Sequence, residues 1–375
     1  MVRFLHTSDW QIGMKAAHAG EKAKVVRQKR FEAAGRIVKL AEEKDVDFVI
    51  LAGDTFEDHN VDNVAVKRTI DILNRFDPIP VYVLPGNHDP MVPGGIWDRD
   101  AWERTGSHVT LLRESQEYRF NDDVALYVCP LTQKQSGLDP TAWIPGRESG
   151  DDRIRIGIAH GSLNILPGTV NFPIAGDRPE QSGLDYLALG DWHSRKIHGR
   201  TAYPGTMEPT NFGEHDPGNV LIVEISEAGA EPQIEACRVN SLTWKTLEPV
   251  ISTVDDIETL DIDLHSLGTL ASLLLRITPD ISGCTDVKAL ERLETLREEL
   301  CESAFFLEWI DSGHQPAIDE DLIPDGILNQ VDETLATILD GRIPEGPGHQ
   351  FADRDPEVVL AARMLLHRLA GGRSA

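Results

Sequence analysis

The sequence predicts an α/β protein, a two-sheet sandwich flanked by helices and followed by a smaller C-terminal α+β cap. Three observations carry this prediction. Two βαβ patterns open the chain, a series of alternating apolar runs follows them, and the apolar runs repeatedly end on Asp, Asn, Gln or His. Such loops gather along one rim, where open α/β sheets collect ligands without disturbing the core.

Arg3 to His6 reads as the first strand, left through the loop Thr7-Ser8-Asp9-Trp10-Gln11. A basic stretch from Lys15 to Arg30 locally reverses the charge of the chain. Phe31, Ala34, Ile37, Val38 and Ala41 then recur at helical spacing, which predicts an amphipathic helix over Gln28 to Lys44. Phe48 to Ala52 is a continuous apolar run, the mark of a strand buried on both faces, and it ends on Gly53-Asp54. Val61 to Arg75 repeats the helical pattern, and Val81 to Leu84 is the next buried strand, leaving through Pro85-Gly86-Asn87-His88-Asp89.

The middle of the chain alternates with period two. Tyr118 to Phe120 and Val124 to Val128 flank Asn121-Asp122-Asp123 as a hairpin would. Ile154, Ile156 and Ile158 precede Ala159-His160-Gly161, and Tyr186 to Leu189 precedes Gly190-Asp191-Trp192-His193. Val220 to Ile225 and Ile234 to Val239 complete a set of strands expected to be antiparallel. The domain reading is therefore a catalytic unit over 1–240, an acidic cap over 241–350, and an amphipathic helix within 351–375 that packs on its own domain or docks a partner.

Composition narrows the classes of function. With 375 residues, 41% hydrophobic and 26% charged, the chain can bury a substantial core. Its net charge of -26 repels nucleic acid at long range, so a polyanionic substrate needs a local basic surface or metal ions. Cys129, Cys237, Cys284 and Cys301 lack the paired spacing of a disulfide framework or zinc knuckle. Met1 leads straight into a strand and no apolar run reaches membrane-spanning length, so a cytoplasmic enzyme or binding protein is expected.

Five strand ends carry metal-type side chains: Asp9 with Gln11, Asp54, Asn87 with His88, His160, and Asp191 with His193. A single Asp after a strand is usually a cap and a single His is usually structural, but five in succession would be an improbable coincidence. Two divalent ions about 3.5 to 4 Å apart can clamp the attacking and leaving oxygens of a phosphoryl group, with one carboxylate bridging them. Asp54 is the expected bridge. Carboxylate, amide and imidazole ligands without thiolate suit Mn²⁺, Fe²⁺ or Mg²⁺. His88 is placed to stabilise or protonate the leaving oxygen, with Asp89 orienting its ring.

The order of these motifs, with Gly86-Asn87-His88-Asp89 the most specific, resembles the calcineurin-like metallophosphoesterases. HTSDW at the amino terminus and YPGT after the last motif resemble the SbcD-type DNA repair nucleases among them. The resemblance covers roughly the first two thirds of the chain and implies a four-layer αββα fold, two Mn²⁺ ions and phosphodiester hydrolysis. It assigns Asp9, Gln11, Asp54 and His193 to one metal, Asp54, Asn87, His160 and Asp191 to the other, and His88 to acid catalysis. Gln11 and Asp191 stand where the family has histidine; Asp191 is a competent hard ligand and Gln11 a weaker one.

Substrate contacts are expected from the basic patches, Lys15 in one and Arg195 with Lys196 in the other, and from Trp10 and Trp192, which stack on a base or prop their loops. The partners implied are DNA and an SMC-like ATPase subunit of SbcC type; homodimerisation is compatible and no membrane is involved. Two other readings stand beside the nuclease. One is a phosphatase or nucleotidase for small substrates, which the acidic cap favours. The other is a catalytically weakened scaffold, marked by Gln11 and Asp191.

Overall fold

The computed structural model describes residues 1–166, 171–284, 286–311, 327–339, 341–342, and 359, 362, 363 and 366. The chain opens with β1 (Val2–Thr7), α1 (Ala23–Glu43), β2 (Phe48–Ala52), α2 (Asn63–Leu73), β3 (Val81–Leu84) and β4 (Val109–Leu111). It continues with β5 (Gln116–Arg119), β6 (Val124–Cys129), β7 (Ile154–His160), α3 (Arg178–Ser182), β8 (Tyr186–Gly190), β9 (Lys196–His198) and β10 (Thr201–Tyr203). Then come β11 (Asn219–Ile225), β12 (Gln233–Arg238), β13 (Thr243–Leu247), α4 (Val254–Ser266), β14 (Leu273–Ile277), α5 (Val287–Ser303), β15 (Phe306–Trp309) and α6 (Ile327–Leu339).

Two six-stranded sheets form the sandwich, ordered β12-β11-β1-β2-β3-β4 and β5-β6-β7-β8-β10-β9. In the first, β1 to β4 run parallel, as βαβ crossovers require, while β11 and β12 add antiparallel strands at one edge. The second sheet departs from the antiparallel set read from its alternation. β6, β7, β8 and β10 run parallel, and only β5 and β9 at its edges are antiparallel. Period-two alternation reports which face a side chain takes, not the direction of its neighbour, so both arrangements share one pattern.

Phe48 to Ala52 shows why β2 lacks alternation. Phe48, Ile50 and Ala52 pack in the core between the sheets, while Val49 and Leu51 pack under the helices with Ile37, Val38 and Ile70. Phe48 stacks on Phe4 at 5.0 Å and meets Tyr82 edge-on at 5.8 Å. Helices α1 and α2 thus cover the first sheet. The outer face of the second is covered more lightly, by Ile144, Leu163, Ile174 and Leu184 near the short α3. Asp62 caps α2 by accepting from the Ala65 amide at 2.8 Å.

Helix α1 begins at Ala23, not Gln28, because Val26 is itself buried in a second cluster. There Met14, Ala16, Ala19 and Val26 meet Phe212, Leu242, Trp244 and Leu274, which joins the sandwich to the smaller unit. That unit is a three-stranded parallel sheet, β13-β14-β15, connected by α4 and α5 and closed around Ile257, Leu264, Leu275, Leu293 and Leu296. α6 lies within the 241–350 region expected to form the acidic cap. The amphipathic helix expected over Pro356 to Leu369 falls mostly outside the described residues, although Arg363 makes a two-point ion pair with Asp332 of α6 at 2.7 and 2.8 Å.

The inner core sets a stability prediction. Phe48→Ala removes a fully buried ring between the sheets and is expected to lower unfolding free energy by about 3–5 kcal/mol in urea titrations. A loss under 1 kcal/mol would mean that the inter-sheet core is elsewhere.

Candidate metal centre

Parallel strands place their carboxyl ends on one edge, so β1, β2, β3, β7 and β8 deliver Asp9, Asp54, Asn87, His160 and Asp191 to the same rim. β2 faces β7 and β8 across the sandwich, which brings the loops of the two sheets together. The approach is so close that glycine is required. A Cβ on Gly53, whose φ is +90°, would lie 2.1 Å from His160 Nδ1, and one on Gly190 would lie 2.1 Å from the Ala52 carbonyl. Four site residues that are not glycine also take positive φ: Asp9 (51°), Gln11 (48°), Asp54 (50°) and Asp191 (105°). Such conformations persist only where surrounding structure over-determines them, and they cluster at functional sites.

Asp9, Asp54 and His160 are buried and offer ligand atoms that all lie within 4.8 Å of one another. His160 fixes its ring by bonding Nδ1 to the Ala52 carbonyl at 2.9 Å, and its Nε2 lies 2.8 Å from Asn87 Oδ1 and 3.4 Å from Asp54 Oδ1. Asp191 Oδ1 is 4.0 Å from the same nitrogen, while its other oxygen accepts from Ser162 Oγ at 2.5 Å. The Asp191 amide donates to both carboxylate oxygens of Asp9, at 3.2 and 3.3 Å. His193 is tied through Nδ1 to Glu214 Oε1 and Thr210 Oγ1, each at 3.0 Å. Hard oxygen and imidazole donors converging from five loops fit divalent cations of the Mn²⁺ or Mg²⁺ class.

Some expected site residues take other roles. Gln11 donates Nε2 to Asp54 Oδ2 at 3.0 Å, so here it orients the central carboxylate, and ligation would need the amide to turn over. Asp89 does not orient His88. It is fully buried and accepts from the Phe56 and Gly86 amides at 2.9 and 2.7 Å, while His88 Nδ1 bonds the Glu57 carbonyl at 2.8 Å. Asp89 therefore pins the two loops that carry Asp54 and Asn87 to each other.

Trp10 is buried at 1% exposure with its indole donating to Thr7 Oγ1, which makes it the prop and not a stacking surface. Trp192 packs partly buried against the outer core of the second sheet. The basic patches are thinner than their sequence suggests. Arg195 pairs with Asp216 at 2.6 Å, Arg200 pairs with Asp185 and Glu231, and only Lys15 and Lys196 among the named contacts stand exposed. Arg30 is buried, and its guanidinium donates to the carbonyls of Trp10, Glu208 and Asp9. It braces the Asp9 loop, a role the sequence hid within a run of surface cations. Glu214 and Thr210, which hold His193, and Ser162, which holds Asp191, lie outside the strand-end pattern that singled out the candidate ligands, so sequence reasoning missed them.

A model of the calcineurin-like phosphoesterase family matches residues 2–195. Among curated proteins, the chain is 24% identical over 231 residues to an uncharacterized metallophosphoesterase, YhaO, of Bacillus subtilis, covering 59% of this chain and 55% of that protein. It is 33% identical over 251 residues to the DNA double-strand break repair protein Mre11 of Methanosarcina acetivorans, covering 61% and 38% respectively. It is 26% identical over 249 residues to the protein of the same name in Methanosarcina mazei, covering 61% and 37%. The matches thus span about half or less of these relatives' own lengths.

Electrostatics at the centre set a pH dependence. Burial pushes Asp54 up, but the neighbouring His160 and His88 hold it down at about 2. Burial pushes His160 down, yet Asp54, Asp9 and Asp191 together raise it well above its ordinary value. Burial likewise lowers His193, but the hydrogen bond to Glu214 and the charges of Asp9 and Asp54 bring it to about 9. Both rings therefore carry protons at neutral pH after chelator treatment, and each must lose one to ligate a cation. Mn²⁺ affinity is expected to rise with pH up to about 9, by as much as roughly tenfold per pH unit for each proton released. Calorimetry in buffers of different ionisation heat measures that release; an affinity constant from pH 6 to 9 would contradict it.

Proposed function

The chain belongs to the calcineurin-like phosphoesterase family, and from that premise we propose that it is a two-metal, Mn²⁺-dependent phosphodiesterase that cleaves DNA during repair. The observation that carries the reading is the convergence of Asp9, Asp54 and His160 within 4.8 Å, with Asn87 in contact with His160. Asp9, Asp54 and His193 would hold one ion with Gln11 beside them, and Asp54, Asn87, His160 and Asp191 the other. When bound, the ions supply Lewis-acid stabilisation of the attacking and leaving oxygens. The family membership supports the hydrolase class, and the Mre11 name of two relatives supports DNA as substrate.

The chain's own residues account for the rest of the reaction. His88 has a side chain 42% exposed, so its ring can reach an incoming substrate, and its Nε2 lies 4.0 Å from Asp54 Oδ2. With Nδ1 donating to the Glu57 carbonyl, Nε2 is the ring nitrogen left to pass a proton to the substrate. Water forms the new P–O bond and gives up a proton to solvent, the opposite P–O bond breaks, and the departing oxygen keeps the electron pair and takes a proton from His88 Nε2, which solvent then restores. Because the net charge of -26 repels a phosphate backbone and Arg195 and Arg200 are already paired, bound cations at this centre would supply the local positive charge that a phosphate meets.

Under this reading residues 1–240 form the catalytic unit, 241–350 the cap and 351–375 a partner-docking segment, with an SMC-like ATPase subunit as partner in the cytoplasm. No helix among the described residues is long and apolar enough to cross a membrane.

Asp54→Asn and His88→Ala are each expected to reduce Mn²⁺-dependent cleavage of duplex or single-stranded DNA by at least about 100-fold with circular dichroism unchanged. Wild-type turnover by either variant would refute the assignment. In parallel, wild-type protein is expected to hydrolyse DNA and bis(p-nitrophenyl) phosphate in preference to nucleoside monophosphates. Strong monoesterase activity without DNA cleavage would move the reading to a phosphatase.

A further inference from the structure

Resting on the two-metal reading, we propose that Glu214 is a positioning residue that fixes His193 in the tautomer able to ligate a cation. Glu214 lies beyond the family-matched stretch and outside the Asp9, Asp54 and His160 group. Only 6% of its side chain is exposed, and among the described residues the bonds made to it come from one loop and one ring. Oε2 accepts from the Thr210 amide at 3.0 Å and from Thr206 Oγ1 at 3.3 Å. Oε1 accepts from Thr210 Oγ1 and from His193 Nδ1.

These bonds decide where the imidazole proton sits. The Thr210 hydroxyl has one proton, and it is committed to Glu214 Oε1. Both neighbours of His193 Nδ1, Glu214 Oε1 and Thr210 Oγ1, are then acceptors towards the ring, so Nδ1 must be the protonated nitrogen. Once the ring is neutral, Nε2 is therefore the lone-pair nitrogen and the ring atom left to meet a cation. A carboxylate behind a ligating histidine also raises its basicity and locks its rotation. The loop that carries Glu214 is itself held from the smaller unit, where Trp244 packs on Phe212 at 5.1 Å and the Arg276 guanidinium sits 4.3 Å from the Phe212 ring centre. A part of the chain remote from the metal motifs thereby fixes one of the ligands.

Mn²⁺ binding, read from the electron paramagnetic resonance of free Mn²⁺, tests this in the full chain. Glu214→Gln keeps the shape but loses the charge, and is expected to weaken the affinity of one of the two ions by roughly 10- to 100-fold, with Glu214→Asp recovering part of the loss. A folded Glu214→Gln protein with wild-type affinity would overturn the proposal. Should the variant not fold, the ring ¹⁵N shifts of His193 in Mg²⁺-loaded wild-type protein give the tautomer directly. Protonation at Nδ1 is expected, and protonation at Nε2 would overturn the proposal. Failure of the wild-type chain to bind Mn²⁺ at all would instead strike the two-metal reading.

Discussion

The Asp54 carboxylate is the point on which the two halves of the molecule meet. It leaves β2 of the first sheet and lies 3.4 Å from His160 of the second, and one of its oxygens also accepts the His88 amide at 2.9 Å. Gln11 donates to the other oxygen. Three loops are thus tied to one acidic group, and the tie holds only because the sheets touch at glycines with no side chain to separate them. Move the rims apart by the width of a methyl group and the donor set no longer converges.

Holding that arrangement has a cost that the rest of the fold offsets. Buried carboxylates at Asp9, Asp54 and Asp89 sit close together, where burial and mutual repulsion push Asp89 up to about 7 and Asp9 upward as well. Positive φ at four ligand-region residues adds backbone strain. Against this stand a double-sided core under β2, the buried Arg30 brace on the Asp9 loop and the Asp89 bonds between neighbouring loops. A centre so loaded with negative charge is poised for cations, which would relieve the repulsion as they bind.

Charge on the larger scale follows the same logic. The chain as a whole repels a polyanion, and its arginines near the rim are largely consumed by internal ion pairs. Local cations and bound metal, not a broad basic surface, are therefore what a phosphate group would meet.

The two-sheet sandwich and the strand ends that meet at its rim were legible in the residue pattern alone. The short apolar run Phe48 to Ala52, bounded by Gly53, suits a strand buried on both faces, and Asp, Asn and His recur beside glycine at the ends of such runs. Strand direction in the second sheet, the burial of Trp10 and Arg30, the displacement of Asp89 from His88, and the seating of His193 on Glu214 were decided only by tertiary structure. Periodicity records how a residue relates to its own strand or helix. Which distant group lies across a gap of 3 Å depends on how whole sheets and loops pack, and no local pattern encodes that distance.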